Sequence, residues 1–225
     1  MKKNVLFAFF CVMFASVSAQ ENKPELNEKP SKDVEMIRLA NNLAKYGYDN
    51  FSPLALIEAA SILNDIATQE LNPVSFEKGS EGENSGVKKE KSDFTVESLL
   101  SDATKFADGN ENLMALAAEV KAKVETVTRG RVGGPGRTVS SVNGNSSDTY
   151  QIRFIDNQYA EILVSGDGDT DLDLYVYDSN GNLIAKDDDY TDDCYVRWIP
   201  AWTGNFIVKI INRGPVYNNY VLVTN

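Results

Sequence analysis

The spacing of hydrophobic positions changes once along the chain, near residue 130. Before that point apolar residues recur every three or four positions, the period of a helix with one buried face. Met36, Leu39, Ala40 and Leu43 share such a face. Ser52-Pro53 starts a second helix, with serine as N-cap and proline at the first helical position. Glu58, Ser61, Asp65 and Thr68 leave only a narrow polar stripe on it, so this helix is expected to be largely buried. Val96, Leu99, Leu100, Ala103 and Phe106 predict a third helix. Leu113, Leu116, Val120 and Val124 predict a fourth after Asp108-Gly109-Asn110. A shift of 60 residues aligns Lys45-Tyr46 with Lys105-Phe106, Asn50 with Asn110, and Leu54-Ala55-Leu56 with Met114-Ala115-Leu116. Two αα-hairpins burying their apolar faces against each other fit this weak repeat, and so does chance similarity between two amphipathic hairpins.

From Arg137 the period becomes two, which predicts strands. Eight are expected: 138–142, 149–155, 159–165, 172–178, 183–186, 194–199, 205–212 and 220–224. Ser179-Asn180-Gly181-Asn182 reads as a hairpin turn, because Asn-Gly takes the left-handed conformations such a turn needs. Short strands with turns every eight to twelve residues predict a sandwich or barrel. Two breaks divide the chain. Asn72 to Lys91, with Pro73, glycines and a charge run, is expected to be a mobile linker within the helical region 32–128. Arg129 to Arg137 (RGRVGGPGR) is expected to be a hinge before a sandwich domain at 138–225. Its glycines are not followed by the Gly-Lys-Ser/Thr of a phosphate loop.

The first residues modify this picture. Lys2 and Lys3 precede an apolar run from Val5 to Val17, and Val17-Ser18-Ala19 has the small residues a signal peptidase needs. Residues 1–19 are therefore expected to be a signal peptide cleaved near Ala19, and 20–31 a flexible leader. The expected location is periplasmic or extracellular. The apolar run is shorter than the roughly 20 residues of a spanning helix, so no membrane insertion is expected. Losing two lysines and no acids takes the formal charge from −11 to −13. Such a chain repels nucleic acid, whose binding needs clustered Lys and Arg. After cleavage Cys194 is the one cysteine left, which excludes an internal disulfide and suits a small buried side chain.

The sequence has no histidine. That excludes Ser-His-Asp and Cys-His catalysis and leaves carboxylate-only chemistry, which needs a pair of acids across a cleft. The acids themselves are concentrated. Asp167, Asp169, Asp171 and Asp173 recur at period two, Asp187, Asp188, Asp189, Asp192 and Asp193 follow, and between 167 and 193 only Lys186 is basic. On a strand, Asp171 and Asp173 share a face with Tyr175 and Tyr177, while Leu172, Leu174 and Val176 face the core. Carboxylates about 7 Å apart repel, and a hard cation such as calcium would relieve them. Asp169, Asp171, Asp173 and Asp188 are the candidate ligands; a solvated acidic rim is the alternative. Tyr190, Tyr195, Trp198 and Trp202 cluster nearby. Trp198 alternates with Val196 and reads as core, whereas Trp202 and Tyr190 are candidates for an exposed binding surface for a protein or polysaccharide.

Gly168-Asp-Thr-Asp-Leu-Asp-Leu-Tyr-Val-Tyr-Asp178, then Trp198-Ile-Pro200, then Gly204-Asn-Phe-Ile-Val-Lys-Ile-Ile-Asn212, resembles the bacterial pre-peptidase C-terminal domain over about residues 139–225. That resemblance implies a jelly-roll-like sandwich of the kind appended to secreted proteases; some relatives bind calcium, and some bind collagen or other polymers. Asp169, Asp171 and Asp173 match the family's acidic strand as metal-side ligands. The family domain normally follows a catalytic domain, and here it follows a histidine-free helical region. The expected fold is α+β in two domains, a small all-α hairpin domain followed by an all-β jelly-roll-like sandwich. The expected function is a non-catalytic binding or accessory protein, with calcium stabilising the sandwich. The alternatives are a structural or solubilising secreted protein with no ligand, and a carboxylate-only hydrolase.

Overall fold

The computed structural model describes residues 31–79, 94–127 and 133–225, the side chains of 124–127 excepted. The expected signal segment, residues 20–30 of the leader, 80–91 of the linker and 129–132 of the hinge lie outside the described residues. The fold is α+β, with a helical N-terminal half followed by two sheets packed as a sandwich. Among the described residues four helices come first, α1 (Lys32–Asp49), α2 (Pro53–Asp65), α3 (Val96–Phe106) and α4 (Glu111–Val127). Eight strands follow, β3 (Gly136–Val142), β4 (Ser147–Phe154), β5 (Ala160–Gly166), β6 (Leu172–Tyr177), β7 (Leu183–Asp187), β8 (Asp193–Trp198), β9 (Gly204–Asn212) and β10 (Asn218–Thr224). Each coincides with an expected strand to within two residues at either end. None of the described helices is long and apolar enough to cross a membrane.

Local chemistry starts the helices where the sequence indicates. The Ser52 hydroxyl accepts from the Ala55 N–H ahead of Pro53. Thr95 and Ser98 form a reciprocal capping box on α3. The Asn110 side chain accepts from the N–H groups of Asn112 and Leu113 at the head of α4. The buried faces depart from expectation in two helices. On α1 the buried face is Val34, Ile37, Ala40, Asn41, Ala44 and Gly47, while Leu39 is exposed. Small residues win there because α2 comes close: a Cβ at Gly47 would lie 2.5 Å from Leu56 Cδ2. On α4, Ala117 and Val120 are buried while Leu116 is exposed.

The strands form two five-stranded sheets. The first, edged by β1 (Gln69–Glu70), has the order β1-β3-β10-β5-β8, and the second, edged by β2 (Ser75–Glu77), has the order β2-β4-β9-β6-β7. Both of these edge strands come from the region between α2 and α3. β1 runs parallel to Gly136–Arg137, and β2 runs antiparallel to Thr149–Gln151. The expected linker is therefore fixed at its start: residues 69–79 strap the edges of both sheets. Phe76 lies against Tyr150, with ring centroids 4.6 Å apart. Lys78 reaches the buried Asp148 at 3.0 Å, and the Gly79 N–H donates to the same carboxylate. Asp148 also accepts from the Tyr220 hydroxyl at 2.7 Å, and Tyr220 shares a 2.6 Å hydrogen bond with Tyr150. Burial holds the Tyr220 phenol well above its usual pKa, so it stays protonated.

Two cores result. One fills the space between the sheets with Leu172, Leu174, Val176, Phe206, Val208, Ile210, Tyr220 and Leu222 among others. The other joins the helices to the outer face of the first sheet through Leu163, Val221 and Val223. The polar border of that second core pins α1 in place. Glu161 is buried, pairs with Arg197 at 2.9 Å and accepts the Ser31 N–H at the head of α1. Lys45 bridges Asp192 and Asp193 at 2.9 and 2.8 Å.

Candidate functional site

The outer face of the second sheet packs against none of the described helices, and the strand register assembles it row by row. Leu172, Leu174 and Val176 point into the core, so Asp173, Tyr175 and Tyr177 point outward. On β9, Ile207, Lys209 and Ile211 face out; on β4, Thr149, Gln151 and Arg153 do. Tyr177 lies opposite Ile207 on one side and Leu183 on the other, and Ile207 lies opposite Gln151. This gives an uncharged row, Leu183–Tyr177–Ile207–Gln151. The next row is Lys186–Tyr175–Lys209–Thr149. The Tyr175 and Tyr177 rings are 6.2 Å apart and nearly parallel, at 17°. At the back of the face, Gly181 makes the β6–β7 turn at φ 83°. Asp178 accepts the Asn180 and Asn182 N–H groups at 2.8 Å, and hydrogen bonding from Asn182 draws its carboxyl below the usual range.

The acidic residues form the rim at the opposite end of β6. Asp173 accepts from Arg213 Nε at 2.6 Å and Nη2 at 2.5 Å. Asp188 accepts from Lys186 at 2.6 Å, which lowers its pKa, and from the Tyr175 hydroxyl at 3.3 Å. Asp187 accepts the Tyr195 N–H, Asp189 binds Thr191, and Asp193 accepts from Ser165. Asp171 differs: burial, then the charge of Asp173, pushes its pKa up. Among the described residues no three acidic, histidine or cysteine side chains come together as a metal site. The candidate ligands Asp169, Asp171, Asp173 and Asp188 thus line one rim without converging. Lys186 pairs with Asp188, and two further cations of the rim come from far along the chain, Arg213 after β9 on Asp173 and Lys45 of α1 on Asp192 and Asp193. Sequence spacing alone could not find them.

The aromatic cluster of the sequence is dispersed by the fold. Trp198 is core, against Phe154 and Phe206. Tyr195 faces the helices under Arg38, with its pKa pushed up to about 12 by burial and then by Glu161. Tyr190, in the β7–β8 loop, is 97% exposed. Trp202, in the β8–β9 loop at the other end of the sandwich, is 41% exposed and stacks on Phe206. The two candidate surface aromatics therefore do not form one site. Cys194 is buried, its Sγ donating to the Leu172 carbonyl, and burial raises its pKa. Tyr175 and Tyr177, near the aromatic cluster in the sequence and on the strand face of the acids, are the aromatic pair on the open face.

No family model matches the sequence, and no curated protein matches it. Solved structures resemble part of it. A mitogen from Yersinia pseudotuberculosis is 15% identical, with a TM-score of 0.33 over 42% of this chain and 86% of its own. The pre-peptidase C-terminal domain of a Bacillus anthracis collagenase is 14% identical, with a TM-score of 0.34 over 42% of this chain and 92% of its own. The periplasmic g-type lysozyme inhibitor of Aeromonas hydrophila is 12% identical, with a TM-score of 0.30 over 40% and 84%.

Proposed function

We propose that this is an exported, non-catalytic binding protein whose ligand surface is the outer face of the second sheet. The observation that carries this reading is the asymmetry of the sandwich. The helices close the outer face of the first sheet, and the equivalent face of the second carries Tyr175, Tyr177, Ile207 and Leu183 with no described helix over them. Aromatic and aliphatic side chains held on a rigid sheet suit recognition of a partner. The absence of histidine disfavours imidazole catalysis, and the ion pairs of Asp173 and Asp188 disfavour carboxylate catalysis by those two acids, which needs one acid held protonated across a cleft. Export rests on the signal-like residues 1–19.

The test is a titration of the isotope-labelled chain with neutral polysaccharides and with gelatin, followed by amide chemical shifts. Shifts clustered on β6, β7 and β9, without release of products, are expected. Shifts confined to the helices or to the Tyr190 loop would remove the proposal.

A further inference from the structure

We infer that the ligand of this face is a neutral polysaccharide, laid across the strands along the Leu183–Tyr177–Ile207–Gln151 row; this rests on the reading of the face just given. Three features of the face select that class.

The first is shape. With Ser75 of β2 opposite Gln151, the row crosses five strands spaced about 4.8 Å apart and is roughly 19 Å long, and neighbouring rows are about 7 Å apart. The uncharged strip is thus long and narrow. A stable protein partner needs about 800 Å² on each side with a desolvated centre, and a strip one or two rows wide offers a fraction of that. An extended chain fits it.

The second is charge. The row of Tyr177 carries none. In the row of Tyr175, Lys186 is engaged by Asp188, Lys209 faces out, and Glu77 closes the row opposite Thr149. Arg153 faces out on β4 beyond Gln151, and at the rim Arg213 is engaged by Asp173. The chain as a whole, at −11, repels polyanions. A polyuronate or sulfated polymer is therefore disfavoured.

The third is hydrogen bonding. A polypeptide lying across this face would set its N–H and C=O groups over Tyr177, Ile207 and Leu183, where no strand edge pairs them. A sugar ring has apolar C–H faces for Tyr177 and Ile207, with hydroxyls at its margins. Gln151, Lys209 and Thr149 supply polar partners for those hydroxyls in the same and the adjoining row.

The experiment is affinity electrophoresis of the full chain in gels containing hydroxyethylcellulose, xyloglucan, galactan or laminarin. Polygalacturonate and gelatin gels run beside them. Tyr177→Ala and Trp202→Ala are compared with the unaltered chain, and melting curves establish that all three are folded. Retardation by at least one neutral polysaccharide is expected, weakened at least tenfold by Tyr177→Ala and unchanged by Trp202→Ala. Retardation by gelatin or polygalacturonate alone, lost in Tyr177→Ala, would overturn the polysaccharide assignment and leave the binding face standing. Retardation in none of the gels, or retardation indifferent to Tyr177→Ala, would overturn both.

Discussion

β10 and β9 are the central strands of their sheets, and both carry aliphatic residues on their outward sides. On β10 every residue is buried, because the helices lie on Val221 and Val223. On β9 burial alternates, and Ile207, Lys209 and Ile211 stay half-exposed. The difference is not in the strands' propensity. It lies in what the rest of the chain places over them. An outward Val or Ile is core in one sheet and contact surface in the other, and only the helical layer decides which.

The comparison is broken most directly by truncating one residue on each face. Leu163 is fully buried between the helices and the first sheet. Leu163→Ala is expected to cost about 2–5 kcal/mol, the range for a core leucine leaving a cavity. Ile207→Ala on the open face is expected to cost about 1 kcal/mol or less, as for a partly exposed site. Urea unfolding of both variants measures the contrast. Equal losses would mean that the second sheet's face is covered in solution.

The strap gives the next largest effect. Lys78 supplies the cation beside Asp148, whose side chain is 1% exposed. Lys78→Met leaves that carboxylate without its counter-charge and is expected to cost about 1–3 kcal/mol. Adding Asp148→Asn restores part of the loss, because an amide needs no cation and still accepts from Tyr220. A double-mutant cycle by urea unfolding tests this; additive losses would show that the pair does not couple.

These sites also show how far the sequence could be read. Strands, caps and the outward direction of Tyr175 and Tyr177 follow from local rules: period two, Ser52-Pro53, Asn180-Gly181. The strap does not, because Gln69–Glu70 and Ser75–Glu77 become strands only by pairing with residues more than 60 positions away. The true buried face of α1 was hidden for a related reason. Ala40, Ala44 and Gly47 are poor hydrophobic signals and become a core only because α2 packs close. The acids were legible as a cluster, but the charges that answer them, Arg213 and Lys45, are brought in by topology.

A smaller effect is expected at acid pH. Asp178 and Asp188 have folded pKa values below their usual range. Their contribution to stability is present above the unfolded-state pKa and is lost as pH falls through the lower folded value, below about 4. Asp171 works in the opposite sense. Its raised pKa favours the fold where it is protonated, and that advantage goes as pH rises through the folded value. Asp178→Asn should flatten the acid limb of the melting temperature against pH, and Asp171→Asn should flatten the limb above it. Unchanged profiles in both variants would mean that neither Asp178 nor Asp171 governs acid stability.

The smallest effect expected is that of calcium. The cation needed to relieve the rim is supplied three times over by side chains, Arg213 on Asp173, Lys186 on Asp188 and Lys45 on Asp192 and Asp193. A metal would have to displace these ammonium and guanidinium groups before gaining oxygen ligands, and Asp171 alone, already biased toward protonation, is a weak starting point. Melting of the full chain in millimolar calcium and in excess chelator should therefore coincide. A ligand at a hundred times its dissociation constant adds about 2.7 kcal/mol, a shift of roughly 5–10 °C in a chain of this length. A shift of that size, abolished by Asp171→Asn, would show that the rim rearranges to hold a metal and that the ion pairs described here are its resting form.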